Sequence, residues 1–325
     1  MALSPELLER FRQDLARVWT LEGGERLGIA FSGGPDSLAL LLLAAEALPG
    51  RVEAATVDHG LRAESAKEAQ DAARICEALG VPHETLAVTV PPGNLQAEAR
   101  RARYEALAEW AERRSVEYIA TAHHADDQAE TFLMRANRSS GLSGLAGVRS
   151  ATSLGEGDLI VLRPLLTWRR SALEDIARTS GFPVAADPSN LDESFDRVRM
   201  RKGLAQADFI DVEGLAASAR YLAEMQDDID GMALEEWGRA QDEDGAPHRY
   251  RPFARSGVHR PVFLAEVVKL FCEDLGATLT RSEARRMVDE LLDDRAVNIG
   301  GIQARNLDGD DVVWTFAPEN PRRTG

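Results

Sequence analysis

The chain has 325 residues, 44% hydrophobic and 28% charged, with Gly 26 and Pro 14; this excludes disordered, collagen-like and low-complexity chains and leaves room for about two domains. The formal net charge of −16 argues against nucleic-acid binding by bulk charge. Only Lys67, Lys202 and Lys269 are lysines, so nearly all of the 38 basic residues are arginine, a bias that codon usage can produce but that also suits bidentate phosphate contacts.

In chain order, Ser4-Pro5-Glu6 has an N-cap followed by proline at the first helical position and opens a charged helix to about Trp19. This is not the apolar core of a cleavable leader, and the longest nearly uncharged stretch, Ser37 to Ala45, is far short of the ~20 residues that span a bilayer. The expectation is a cytoplasmic protein with no membrane partner. Apolar runs at Leu27–Phe31, Val52–Val57, Val81–Val90 and Tyr118–Thr121 alternate with helical patterns over 38–48, 63–79, 95–114 and, opened by His123–Asp127, to about Arg138. Such alternation predicts an α/β fold with a Rossmann-like parallel sheet covered on both faces, whose ligands lie outside the carboxyl ends of the strands. The clusters Ser32–Ser37, Asp58–Arg62 and His123–Glu130 all fall at such ends.

The Gly/Ser-rich stretch Ser139–Gly147 reads as a mobile loop beside the site, and Asp187-Pro188-Ser189-Asn190 as a turn before the basic segment Arg197, Arg199, Arg201 and Lys202. From about Val212 the pattern turns helical, with Leu215, Tyr221, Leu222, Met225, Ile229 and Met232 on one stripe. Residues 241–247 read as a loop, Pro261–Leu275 as a helix, and Thr280-Arg281-Ser282-Glu283 as a capping box. A small hairpin is expected from Val297–Arg305 and Val312–Phe316 around Asp308-Gly309. The reading is a catalytic domain over 1–208 and a smaller, mostly helical domain over 209–325.

The chemistry begins at Ser32-Gly33-Gly34-Pro35-Asp36-Ser37, which joins a strand to a helix. Two glycines let the backbone turn sharply and present successive N–H groups, and the helix N-terminus adds positive potential. Ser32 and Ser37 add hydroxyls, and Asp36 is placed to hold a magnesium ion. This is a cradle for phosphate or pyrophosphate, though not a Walker loop, because no Gly-Lys-Ser/Thr follows.

This hexapeptide resembles the phosphate loop of the N-type ATP pyrophosphatases, or PP-loop family. Four further segments resemble the signature of its tRNA(Ile)-lysidine synthetase branch: Val57-Asp58-His59-Gly60-Leu61-Arg62, Thr121 to Thr131 continuing through Gly141–Leu145, Arg163-Pro164-Leu165-Leu166, and Asp187–Asn190 with the arginines after it. Together they cover about residues 26 to 205. The chain has Arg138-Ser139-Ser140-Gly141 where that branch often has Arg-Gly-Ser-Gly. The resemblance implies ATP and Mg2+ as cofactors, with free L-lysine and tRNA(Ile) bearing a CAU anticodon as partners, and is compatible with a homodimer. The implied reaction adenylates C2 of the wobble cytidine and then displaces AMP with the lysine side-chain amine, changing decoding from AUG to AUA. Ser32 to Ser37 and Asp58 would bind ATP, with Asp36 on the metal. Asp127 and Glu130, three apart on one helical face, would bind the lysine ammonium groups or share the metal, acting with Asp36 as catalytic residues. Arg197, Arg199 and Arg201 would contact tRNA or ATP phosphates. For His123 and His124, packing or capping is an equal alternative. Arg249, Arg251, Arg255, His259 and Arg260, with Tyr250 and Phe253 as stacking platforms, read either as an RNA contact or as ordinary surface.

Other readings are a related tRNA thiolase of the 2-thiocytidine type, GMP or NAD synthetase-like amidation, and an inactive nucleotide-responsive RNA-binding module. The thiolase needs catalytic or cluster-binding cysteines, whereas Cys76 and Cys272 each sit in an apolar helical pattern and read as buried and inert. Amidation would call for a glutaminase domain and companion motifs absent from the sequence. Intact Asp36, Asp127 and Glu130 argue against the inactive module.

Overall fold

The apolar runs of the first half become the strands of one six-stranded sheet in the computed structural model, which describes residues 3–20, 24–60, 65–91, 93–154, 159–185, 196–243, 248–252, 260–307 and 312–319. The chain divides into two compact units, 1–223 and 224–325.

In the first unit, β1 (Leu27–Ala30), β2 (Val52–Asp58), β3 (His83–Ala87), β4 (Tyr118–Ala120) and β6 (Ile160–Leu162) run parallel, and β5 (Ala151–Ser153) closes one edge antiparallel to β6. The order is β3-β2-β1-β4-β6-β5. All four residues of β1 are buried, as expected for the centre of a sheet covered on both faces. One face packs on α1 (Pro5–Ala16), α2 (Pro35–Ala47), α3 (Ser65–Leu79) and α7 (Arg170–Ser180) through Phe11, Leu15, Leu38, Ile75 and Leu173. The other packs on α4 (Leu95–Arg114) through Leu107, Trp110 and Ala111. The chain leaves β1 toward β2 and β3 and later returns to lay β4 on the other side of β1, which makes the β1/β4 boundary the switch point where such sheets bind ligands.

Two helices meet this boundary from the β4 side. α5 (Ala125–Ala136) begins directly after β4 and contacts α8 (Asp196–Gln206). The Gly/Ser-rich stretch, expected as a loop beside the site, is hydrogen-bonded to α5. It holds the helical turn α6 (Leu142–Leu145); Arg135 Nη1 donates to the Gly144 and Gly147 carbonyls, and the buried Gln128 amide exchanges two 2.7 Å hydrogen bonds with the backbone of Val148.

The long helix α9 (Val212–Glu243) spans the division between the units. Its buried line is Val212, Ala216 and Ala219 in the first unit and Gln226 and Ala233 in the second. Tyr221, Met225 and Met232 of the expected apolar stripe are exposed, because small side chains make the packed face. The second unit adds α10 (Pro261–Asp274) and α11 (Arg281–Leu292), the latter opened by the Thr280–Glu283 capping box. They pack against one face of an antiparallel sheet ordered β7 (Arg249–Tyr250), β10 (Trp314–Pro318), β9 (Ile302–Asn306), β8 (Val297–Ile299). The expected hairpin is the antiparallel pair β9–β10, and an additional tight one turns at Gly300-Gly301 between β8 and β9; Asp308-Gly309 itself lies outside the described residues, as do Arg62, Asp187–Asn190, 244–247, Phe253, Arg255 and His259. Among the described residues no helix is long and apolar enough to cross a membrane.

Candidate active site

The loop after β1 is shaped by its own hydroxyls. Ser37 Oγ donates to the Gly34 carbonyl (3.0 Å) and accepts from the Ser32 N–H (3.2 Å), and the Ser32 hydroxyl lies 3.0 Å from it. Gly33 turns the chain at φ +77° and its carbonyl accepts from Ala185 N–H (2.9 Å). Gly34 caps α2 with no side-chain hydrogen bond, and Pro35 fills the first helical position, so no side chain competes with an anion for the first N–H groups of the helix.

Asp36, in that first turn, points one oxygen at each of two environments. Oδ1 is buried and has no hydrogen-bond partner, while Oδ2 lies 3.6 Å from His124 Nε2. His124 is the N-cap of α5 in a capping box: its Nδ1 accepts from Asp127 N–H (3.3 Å), and Asp127 Oδ2 accepts from His124 N–H (3.0 Å). The Nε2 proton therefore faces Asp36. Burial pulls the His124 pKa down, but Asp36, Asp127 and Asp126 outweigh it and hold it above the ordinary histidine value. His123 goes the other way. Burial, aided by Arg163, Arg103 and Arg197 and opposed by Asp127, pushes its pKa down to about 4, and its Nδ1 sits 2.8 Å from Thr121 Oγ1. At neutral pH it is an uncharged imidazole.

Asp127 and Glu130 share the same face of α5 but not the same environment. Asp127 lines the cleft, and Arg197 Nη2 donates to its Oδ1 (2.6 Å). Burial pushes its pKa up, yet His124, Arg197 and His123 overcome this and leave it below the usual carboxylate value. Glu130 is 1% exposed and both its oxygens are engaged: Oε2 accepts from Arg197 Nε (2.8 Å) and Arg201 Nη2 (3.3 Å), and Oε1 from Arg201 Nε (2.7 Å). Two of the three arginines expected to meet phosphates are thus anchored on α5 carboxylates. Arg199 pairs with Asp196 on its own helix.

Ser32, Gly34, Asp36, Ser37, Asp127 and Arg197 line a single cleft with Ala30, Thr121, Ala122, His123 and Arg103. Gly33 and Pro35 belong to the same loop but do not line the cleft. Asp58 does not line it; its Oδ1 accepts from Gly60 N–H (2.9 Å), and that bond, with Ser65, lowers its pKa. Arg103 was missed in the sequence, although a signal exists: it falls on the stripe of α4 that also carries the buried Leu107 and Trp110, four and seven residues on. A charge on an apolar stripe calls for a reason. Burial lowers its pKa, and among the described residues no carboxylate pairs with it. In the second unit, Tyr250 is 1% exposed inside the core, which removes it as a stacking platform.

The family model of the PP-loop domain matches residues 7–208. The chain is 49% identical over 218 residues to a tRNA(Ile)-lysidine synthase of Novosphingobium aromaticivorans, covering 66% of each chain. It is 45% identical over 239 residues to the tRNA(Ile)-lysidine synthase of Zymomonas mobilis subsp. mobilis, covering 72% of each. The match to the first thus spans just under two thirds of that relative's length. Among solved structures, the U34-tRNA thiolase NcsA from Methanococcus maripaludis with its [4Fe-4S] cluster aligns with TM-score 0.57 at 17% identity, over 68% of this chain and 77% of that one, a likeness of fold. The match by family and by relatives agrees with the phosphate loop at the switch point: the chain belongs to the tRNA(Ile)-lysidine synthase family of PP-loop proteins.

Proposed function

We propose that this chain uses ATP to activate C2 of the wobble cytidine of tRNA(Ile) with a CAU anticodon and then joins free lysine to that carbon, forming lysidine in the cytoplasm. The observation that carries the reading is the meeting, in one cleft, of the unpartnered Asp36 Oδ1 with the Asp127 carboxylate. One anchors the nucleotide end of the reaction and the other is an anion for an incoming amine.

A hard cation fits the loop. Asp36 Oδ1 is a buried carboxylate oxygen without a donor, and magnesium is commonly held by one or two carboxylates together with substrate phosphates. Asp36 would hold it, and the ion would neutralise charge on the departing pyrophosphate. The remaining steps belong to the chain. The free N–H groups opening α2 receive phosphate oxygens. Arg103 brings an uncompensated guanidinium toward the negative charge that builds at the α-phosphate as the cytidine oxygen attacks. Asp127 takes the ammonium of lysine and accepts or relays the proton that the amine must lose before it displaces AMP. Glu130 holds Arg197 and Arg201 in place beneath it, and residues 209–325 contact the tRNA.

The thiolase alternative has no support in the thiols. Burial pushes the pKa of Cys76 and of Cys272 up to about 12, so neither is a ready thiolate. The test is pyrophosphate release, measured with and without lysine and the tRNA, together with detection of lysidine. Release that ignores both substrates would sink the reading.

A further inference from the structure

The reading above gives residues 209–325 the tRNA but assigns no surface to it, and the second unit presents an exposed sheet face. In an antiparallel sheet, residues directly opposite one another project from the same face. Arg249 on β7 pairs with Thr315 on β10, which pairs with Arg305 on β9. The next row is Ala317, Gln303 and Asn298. Arg249, Arg305, Gln303, Asn298 and Ala317 are all exposed, while the alternating residues Tyr250, Trp314, Phe316, Ala304, Ile302 and Ile299 are buried in the core. The outward positions of these four strands hold no acid.

Several other arginines of the unit are held by carboxylates, although among the described residues Arg260 and Arg286, away from this sheet face, are not. In the same unit Arg281 is paired with Glu266, Arg285 with Asp289 and Arg295 with Glu290. Among the described residues, Arg249 and Arg305 have no carboxylate partner. In a protein of net charge −16, a flat polar face carrying two uncompensated guanidinia is complementary to an anionic surface. Their backbones are two strand spacings apart, about 9–10 Å, with hydroxyl and amide groups between and beside them that suit phosphate and sugar oxygens. No aromatic ring lies on the outward side, so the face lacks a platform for unstacked bases.

We infer that the outer face of the β7-β10-β9-β8 sheet binds the phosphate backbone of structured RNA through Arg249 and Arg305. This rests on the lysidine reading, since it takes the tRNA substrate as the occupant. The test uses the full chain and a tRNA(Ile) transcript with a CAU anticodon, with the dissociation constant measured over a series of salt concentrations. The double variant Arg249→Gln/Arg305→Gln should bind more weakly, and its log–log salt slope should be shallower by roughly 1.4–1.8, from ~0.7–0.9 per lost phosphate contact. Arg249→Lys/Arg305→Lys should keep most of the slope, and Arg285→Gln/Arg295→Gln, which removes two paired arginines elsewhere in the unit, should leave it unchanged. Wild-type affinity and slope in the glutamine variant, with wild-type chain that binds the tRNA, would overturn the RNA face alone. A wild-type chain that binds no tRNA and makes no lysidine would overturn the parent reading and this inference with it. Loss of a dimer by light scattering, with tRNA affinity intact, would assign the face to a second copy and overturn the RNA assignment.

Discussion

Neutralising each α5 carboxylate in turn should give two different failures. Asp127→Asn acts at the cleft wall: the Arg197 contact weakens and the ammonium of lysine loses a charged acceptor. A charge-assisted hydrogen bond contributes roughly 1.5–3 kcal/mol, so the lysine concentration for half-maximal lysidine formation should rise about ten- to a hundred-fold, while the adenylated tRNA still accumulates. Glu130→Gln acts beneath the wall. It removes the buried charge that receives three hydrogen bonds from Arg197 and Arg201. Breaking a fully buried pair costs about 3–5 kcal/mol, but Arg197 and Arg201 are 44% and 28% exposed and recover hydration, which brings the loss to about 1.5–3 kcal/mol. For a unit of this size that lowers Tm by roughly 3–12 °C, and the kinetic damage should extend to both half-reactions because the arginines lose their anchor. The assay is a single-turnover experiment that follows the adenylated tRNA and lysidine separately, alongside thermal melts. Asp127→Asn with unaltered lysine dependence, or Glu130→Gln with wild-type Tm and a defect confined to lysine, would refute this division of labour.

Asp36→Ala should abolish pyrophosphate release while tRNA affinity stays within a few-fold of wild type; wild-type release from a folded variant sinks its role on the metal. Arg103→Gln should slow adenylation with little change in Tm, and an unchanged adenylation rate would return Arg103 to a packing role. Thiol titration of the native chain should find Cys76 and Cys272 unreactive until denaturant is added; rapid labelling of either contradicts their burial. His83, whose pKa is lowered by burial and whose Nε2 sits 2.8 Å from Thr56 Oγ1, binds its proton more readily in the unfolded chain. Its contribution is therefore full above the unfolded value near 6.5 and is lost as pH falls from there toward the lower folded value. The urea midpoint of wild type should drop more between pH 7 and pH 5 than that of His83→Gln, and equal drops would exclude this linkage.

How much of this was legible in the sequence follows from which interactions are local. The strand–helix alternation, the phosphate loop and the Thr280 capping box depend on residues within a few positions of one another, and each formed where the pattern placed it. The β9–β10 hairpin formed as expected, whereas Val297–Arg305, expected as one run, is broken into β8 and β9 by Gly300-Gly301, an equally local two-residue turn signature. The apolar stripe of α9 misled because periodicity shows which residues share a face, not whether that face meets a partner. Tyr221 and Met225 are exposed while Ala216 and Ala219 are packed. Long-range pairing was out of reach altogether. The spacing of Asp127 and Glu130 shows two carboxylates on one helical face; it cannot show that residues 67 and 71 positions onward seal one of them.

That sealing changes what the arginines of α8 are for. An exposed run of alternating arginines reads as phosphate contact when each is considered alone. Arg197, however, spans both acids of α5, with Nη2 on Asp127 and Nε on Glu130. A guanidinium held at two points is fixed in direction, and the carboxylate in the cleft is fixed with it. On the proposed reading, the same ion pair would set a condition on lysine binding. An ammonium arriving at Asp127 Oδ1 meets an oxygen that already accepts from Arg197, so the amine must either share that oxygen or displace one of its hydrogen bonds. Arg197 keeps its second contact on Glu130 in either case. The buried acid would therefore let the arginine yield part of its hold without leaving the site, so that under the proposed function Glu130 anchors the cation while Asp127 receives the substrate.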